Sequence, residues 1–134
     1  MAEKIDHIGI AVADLKAASE AFALLLGVQP GLPEEVPDQK VRVVFFDVGG
    51  VHVELLEPTC PESTIAGFIE KRGPGLHHVA FAVNEIESEL ARLTEGGARL
   101  IDQTPRIGAH GMKIAFVHPK SSAGVLTELC EKVG

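Results

Sequence analysis

Apolar and polar residues alternate with period two over His7-Ile-Gly-Ile-Ala-Val-Ala-Asp-Leu15, which predicts a strand with two distinct faces. The run His78-Val-Ala-Phe-Ala-Val-Asn-Glu-Ile86 repeats that pattern at an offset of 71 residues. Each copy continues into a stretch of helical period, with Leu15, Ala18, Phe22, Leu25 and Leu26 in the first and Ile86, Leu90 and Leu93 in the second. Asp14 and Asn84 stand where N-caps are expected, and both stretches end in glycine, at Gly27 and at Gly96-Gly97. Strand-rich runs follow at Val41–Val48 and Met112–Val117, each with an aromatic residue near its middle, Phe45 and Phe116. A second matched pair closes each half: Gly50-Val-His-Val-Glu-Leu-Leu-Glu57 resembles Gly124-Val-Leu-Thr-Glu-Leu-Cys-Glu131, 74 residues later.

Each half therefore reads strand, helix, strand, strand, strand. The join is expected near Ile69–Gly75, where Lys71-Arg-Gly-Pro-Gly75 is a breaker cluster. Irregular connections are expected at Gln29–Lys40 and Pro105–Gly111. Two copies are too few for a solenoid, so the fold class is α+β, with two tandem βαβββ modules forming a cupped mixed sheet. Residues 1–134 are expected to form a single domain of two repeats, about 1–70 and 75–134.

Composition narrows the function. Apolar residues make up 46% of the 134, which is ordinary for a globular chain, and the formal charge is −7. An electrostatic grip on nucleic acid or an anionic membrane is not expected. Cys60 and Cys130 read as free thiols, and no stretch has the length or apolarity of a signal peptide or membrane span. A soluble, cytoplasmic protein is expected.

The repeat places the same chemistry twice: His7 matches His78, and Glu54 matches Glu128. Alternation puts His7, Gly9 and Ala11 on one face and Ile8, Ile10 and Val12 on the other; His78, Ala80 and Ala82 oppose Val79, Phe81 and Val83 likewise. The histidine faces are thus lined by small residues, leaving space beside the imidazoles. A carboxylate inside an apolar strand must be paired, bound to a metal or on a solvent face. Two imidazoles and two carboxylates suit a divalent first-row ion, with Co2+ the first choice and Mn2+, Ni2+, Zn2+ or Fe2+ as alternatives. Glu57 and Glu131 also match, but they follow the strand cores and are expected to be solvated.

The pattern resembles the vicinal oxygen chelate superfamily, which includes glyoxalase I, extradiol dioxygenases and antibiotic-resistance proteins. Within it the chain is most similar to the methylmalonyl-CoA epimerase family. The likeness runs in order through Asp6-His-Ile-Gly-Ile-Ala-Val12, Val53-Glu-Leu-Leu-Glu-Pro58, Ser63-Thr-Ile-Ala-Gly-Phe68, Gly75-Leu-His-His-Val79, Ile107-Gly-Ala-His-Gly111, His118-Pro-Lys120 and Gly124-Val-Leu-Thr-Glu128. The resemblance implies a metal held by His7, Glu54, His78 and Glu128, with Glu128 also acting as catalytic base. His78 rather than His77 is the ligand, because His78 aligns with His7.

The implied reaction is interconversion of (R)- and (S)-methylmalonyl-CoA by proton removal and return at C2 through a metal-stabilised enolate. Some members carry a second glutamate on the strand matching Val41-Arg-Val-Val44, where this chain has no carboxylate. A CoA thioester is anionic, so basic rim residues are expected among Arg42, Lys71, Arg72, Arg106, Lys113 and Lys120. Arg42, His110, Gly111 and Lys120 are the expected substrate contacts, and a homodimer is expected by resemblance. The same scaffold also serves glyoxalase I-type lyases, extradiol dioxygenases and metal-free small-molecule binders, and these stand as alternatives.

Overall fold

A computed structural model describes residues 1–133. Its elements run β1 Lys4–Ala11, α1 Leu15–Leu26, β2 Glu34–Val36, β3 Val41–Val48, β4 Val51–Pro58, α2 Thr64–Arg72, β5 Gly75–Ala82, α3 Ile86–Glu95, β6 Arg106–Ile107, β7 Lys113–Val117 and β8 Thr127–Glu131. Both halves thus have the βαβββ order read from the sequence. The connections at 29–40 and 105–111 are not wholly irregular, since they hold the short strands β2 and β6 and two 3-10 turns.

Backbone contacts group the chain into two compact units. One comprises residues 7–77, the other residues 1–6 with the residues from His78 onward. The division falls inside β1 and β5, so it departs from the repeat boundary by the six N-terminal residues and by residues 75–77 at the start of β5.

In the unit of residues 7–77 the strands are hydrogen-bonded in the order β2-β3-β4-β1. β1 runs parallel to β4, with His7 opposite His52 and Gly9 opposite Glu54; β3 runs antiparallel to β4, with Phe45 opposite Glu54. α1 covers one face. Its core consists of Val12, Leu15, Val44, Phe46 and Leu55, with Ala18, Phe22, Ala23 and Leu26 packed against them. Leu25 does not belong to that face: it is 74% exposed, as Leu24 is at 86%. Asp14 caps α1 by accepting from the Ala17 amide, and Gly27 closes it in the left-handed region, φ 69°.

The other unit repeats the plan in the order β5-β8-β7-β6, with β5 parallel to β8 and β7 antiparallel to it. The core under α3 consists of Val83, Ile86, Leu90, Leu100, Ala115, Val117 and Leu129. Residues 1–6 are bound to it directly. The Glu3 amide donates to the Ala82 carbonyl at 2.9 Å, and the Met1 ammonium lies 2.8 Å from Glu89. That ammonium and Arg92 hold the Glu89 carboxyl below the usual range, the Arg92 hydrogen bond contributing most.

Three expectations change. Residues 64–72 form a helix, α2, just before the join; Ser63 caps it by accepting from the Ile65 amide, and Ile65 is buried. Asn84 is not the cap of α3, since its side chain donates instead to Glu3 at 2.7 Å. The first amide of α3, at Ile86, donates to Glu131 at 2.7 Å, and the first amide of α1, at Leu15, donates to Glu57 at 2.8 Å. Glu57 and Glu131 are therefore not simply solvated: each anchors a helix N-terminus, where a negative charge is favourable. Glu57→Ala and Glu131→Ala are each expected to lower stability by about 0.5–2 kcal/mol, read from urea denaturation midpoints.

Candidate functional site

The site residues arise from strand alternation. On β4, Val53 and Leu55 point under α1, so Glu54 takes the opposite face. Cross-strand neighbours on that face are Gly9, which has no side chain, and Phe45. His7 shares it from β1, and its Nε2 lies 3.5 Å from Glu54 Oε1; both side chains are about 6% exposed. The Phe45 ring meets His7 edge-on at 5.9 Å and His52 at 5.6 Å.

The other unit reproduces this arrangement. His78 Nε2 lies 3.3 Å from Glu128 Oε1, at 2% and 6% side-chain exposure. Glu128 pairs across with Phe116 and with Ala80, and the Phe116 ring meets His78 edge-on at 5.6 Å. The aromatic residue at the centre of β3 and β7 is therefore part of the repeat, fixing the orientation of each imidazole. His77 turns the other way, its ring 4.9 Å from Phe68 of α2, which leaves His78 as the histidine of the pair.

Both pairs fit ligation of an ion. Two donors bound to one metal at ~2.0–2.1 Å, with an angle of about 90–110°, lie roughly 3.0–3.4 Å apart. Separations of 3.5 and 3.3 Å are close to that range. Burying a carboxylate and an imidazole on small-residue faces is costly unless positive charge and donors compensate, and a divalent ion provides such compensation. Within the pairs, nitrogen and oxygen donors match first-row divalent chemistry.

The remaining candidates lie elsewhere. Arg42 is not brought to the pair: the β3 register puts Arg42 with Val44 and Phe46 on the α1 side, opposite Glu57. There it lines a cavity of about 470 Å³ with Asp14, Lys16, Glu20, Pro33 and Glu57. His110 and Gly111 are exposed in a 3-10 turn between β6 and β7, with His110 at φ 59° and Gly111 at φ 69°. Gly108, which opens that turn, packs tightly on Ile114: a Cβ there would lie 2.8 Å from Ile114 Cδ1, so a side chain would require Ile114 to shift. Lys120 is exposed in the turn after β7, where its amide donates to His118 Nδ1 at 3.0 Å. Cys60 is a free, half-buried thiol, and Cys130 is buried with its Sγ donating to the Phe81 carbonyl at 3.6 Å. Among the described residues, no helix is long and apolar enough to cross a membrane.

Comparison with known proteins decides the lineage. Residues 6–116 match the model of the Glyoxalase/Bleomycin resistance protein/Dioxygenase superfamily. The chain belongs to this superfamily. Its two βαβββ modules and mixed α+β architecture are the superfamily's fold in this sequence. Superfamily relatives include the ethylmalonyl-CoA/methylmalonyl-CoA epimerase of Cereibacter sphaeroides, 41% identical over 96% of this chain and 98% of that protein. The crystal structure of methylmalonyl-CoA epimerase from Mycobacterium tuberculosis superimposes with a TM-score of 0.95 at 37% identity, covering 99% of this chain and 90% of that one. A variant of the Streptomyces coelicolor epimerase in complex with 2-nitronate-propionyl-CoA has a TM-score of 0.93 at 34% identity, covering 100% and 97%.

Proposed function

We propose that this chain is a divalent-metal-dependent epimerase of methylmalonyl-CoA, in which His7, Glu54, His78 and Glu128 hold one ion and Glu128 also moves the C2 proton. The observation that carries the reading is the duplicated, buried His–Glu pair, at 3.5 and 3.3 Å. The epimerase names of full-length relatives at 34–41% identity favour this reaction over the others found on the scaffold. In this reading residues 1–134 work as one domain, Co2+ is the ion, and the protein is a cytoplasmic homodimer.

The C2 proton of a 2-methylmalonyl thioester is flanked by a thioester and a carboxylate, so its removal leaves charge on oxygen. A bound divalent ion would supply the positive charge that stabilises it. The chain's own residues do the rest. His7 and His78 each present Nε2, held in place by the Phe45 and Phe116 ring edges. Glu54 contributes a carboxylate oxygen from β4. Glu128, on β8, takes the C2 proton from one face, and inversion requires a second group that delivers a proton to the opposite face. The face of β3 that carries Phe45 also carries Val41, Val43 and Asp47; Asp47 is exposed near the end of the strand, where its carboxylate accepts from the Gly50 amide.

The test is solvent deuterium incorporation at C2 of methylmalonyl-CoA. Metal-loaded protein is expected to exchange the proton, chelator treatment to reduce the rate at least about tenfold, and added Co2+ to restore it. Absence of exchange by protein with stoichiometric metal would overturn the reading.

A further inference from the structure

The two halves are alike in their His–Glu pairs but differ in what stands behind the aromatic ring. In the unit of residues 7–77, Phe45 is flanked by His52. In the other unit, Phe116 is covered by a guanidinium: the Arg106 Cζ lies 5.8 Å from its ring centroid. Arg106 pairs with Ile114 across β6 and β7, and Ile114 pairs with Cys130 just as Phe116 pairs with Glu128. Alternation therefore puts Arg106 on the same face of the sheet as Glu128 and Phe116. The ring of Phe116 in turn meets His78.

Arg106 is held incompletely. Its Nε is the one buried side-chain polar atom without a hydrogen-bond partner among the described residues. The Asp102 carboxylate is beside it, but Oδ1 is 3.5 Å from that Nε, and Oδ2 is engaged by the Phe116 amide at 2.8 Å. The side chain as a whole is 40% exposed, so part of the guanidinium remains accessible. A desolvated guanidinium N–H with no acceptor is costly, and stacking on an aromatic face orients the planar fork without using its donors. Such a group is prepared for an oxyanion arriving from outside, which it can grip with two parallel hydrogen bonds.

We propose that Arg106 binds an anionic oxygen group of the substrate and so selects charged acyl-CoA thioesters. The proposal deepens the epimerase reading and rests on it for the substrate. Two parts of methylmalonyl-CoA share the required chemistry: the carboxylate on C2 and the phosphates of the CoA moiety. In the other half the matching register position, opposite Val43 as Arg106 is opposite Ile114, is held by Glu34 rather than by a cation.

The experiment uses the full-length, metal-loaded protein and compares it with Arg106→Gln and Arg106→Lys. Epimerisation is measured with methylmalonyl-CoA and with methylmalonyl-pantetheine, which lacks the phosphates. Arg106→Gln is expected to raise KM about ten- to a hundredfold, the loss typical of a charge-assisted hydrogen bond, with kcat changed far less. Arg106→Lys should recover part of it. A rise with both thioesters assigns the carboxylate, and a rise with the CoA thioester alone assigns a phosphate; an unchanged KM with both overturns the proposal. A second readout does not need turnover. The 15N–1H signal of Arg106 Nε, identified by its loss in Arg106→Lys, is expected to shift when methylmalonyl-CoA is titrated into the native protein. No shift at saturating thioester also overturns the proposal. If the native protein does not exchange the C2 proton, the epimerase reading fails, while the titration still decides the role of Arg106.

Discussion

Glu128→Gln is expected to slow C2 proton exchange by about 10²–10⁴-fold, the contribution typical of a general base, with little change in thermal stability. Glutamine keeps the size of the side chain and an oxygen able to bind an ion, so proton transfer is the function removed. The control lies within the same molecule. Glu54 occupies the matching place at the same burial and nearly the same distance from its histidine. Glu54→Gln should keep its metal and most of its exchange rate. The two variants are compared by the rate of deuterium uptake at C2 and by metal content after dialysis. Equal losses in both, tracking lost metal, would show that Glu128 acts as a ligand alone.

The largest effect on stability is expected at Phe46. Its side chain is fully buried, packs with Val12, Leu15, Val44 and Leu55, and meets the Phe22 ring at 6.4 Å between centroids. Phe46→Ala removes most of that contact and leaves a void that the sheet cannot close, at a cost of about 3–5 kcal/mol. Against a total stability of about 5–15 kcal/mol this is a large fraction, and a marked fall in the urea midpoint is expected. Leu24→Ala, at a residue 86% exposed on α1, should change stability by less than about 0.5 kcal/mol. Similar costs for the two would contradict the assignment of inner and outer faces.

The features legible in the sequence are those governed by local period. Alternation over residues 7–12 and 78–83 placed His7 and His78 on small-residue faces, and β3 has the bounds the apolar run suggested, Val41–Val48. The match of Glu54 with Glu128 located the carboxylates now found within 3.5 Å of the histidines. The features that escaped depend on partners distant along the chain. Glu57 and Glu131 act on amides 42 and 45 residues away, and no local spacing announces that contact. α2 is obscured by Gly67 in its middle and by the breaker cluster at its end, while its anchor, Ile65, is a single buried residue. Leu25 fits a helical stripe as well as Leu26 does, and only the position of the sheet separates them. Arg42 illustrates the same limit: β3 is apolar at both odd and even positions, so parity alone does not say which face meets α1.

The attachment of residues 1–6 to the second unit bears on how this chain can be divided. Cutting at the glycine-proline cluster separates Met1 from Glu89 and Glu3 from Ala82. The trailing fragment would then lack the hexapeptide that lies along its own first strand. To obtain that half as a free-standing protein, the opening hexapeptide has to be transplanted onto it, as in a circular permutant. Cutting the chain at the repeat junction therefore does not give two self-contained halves.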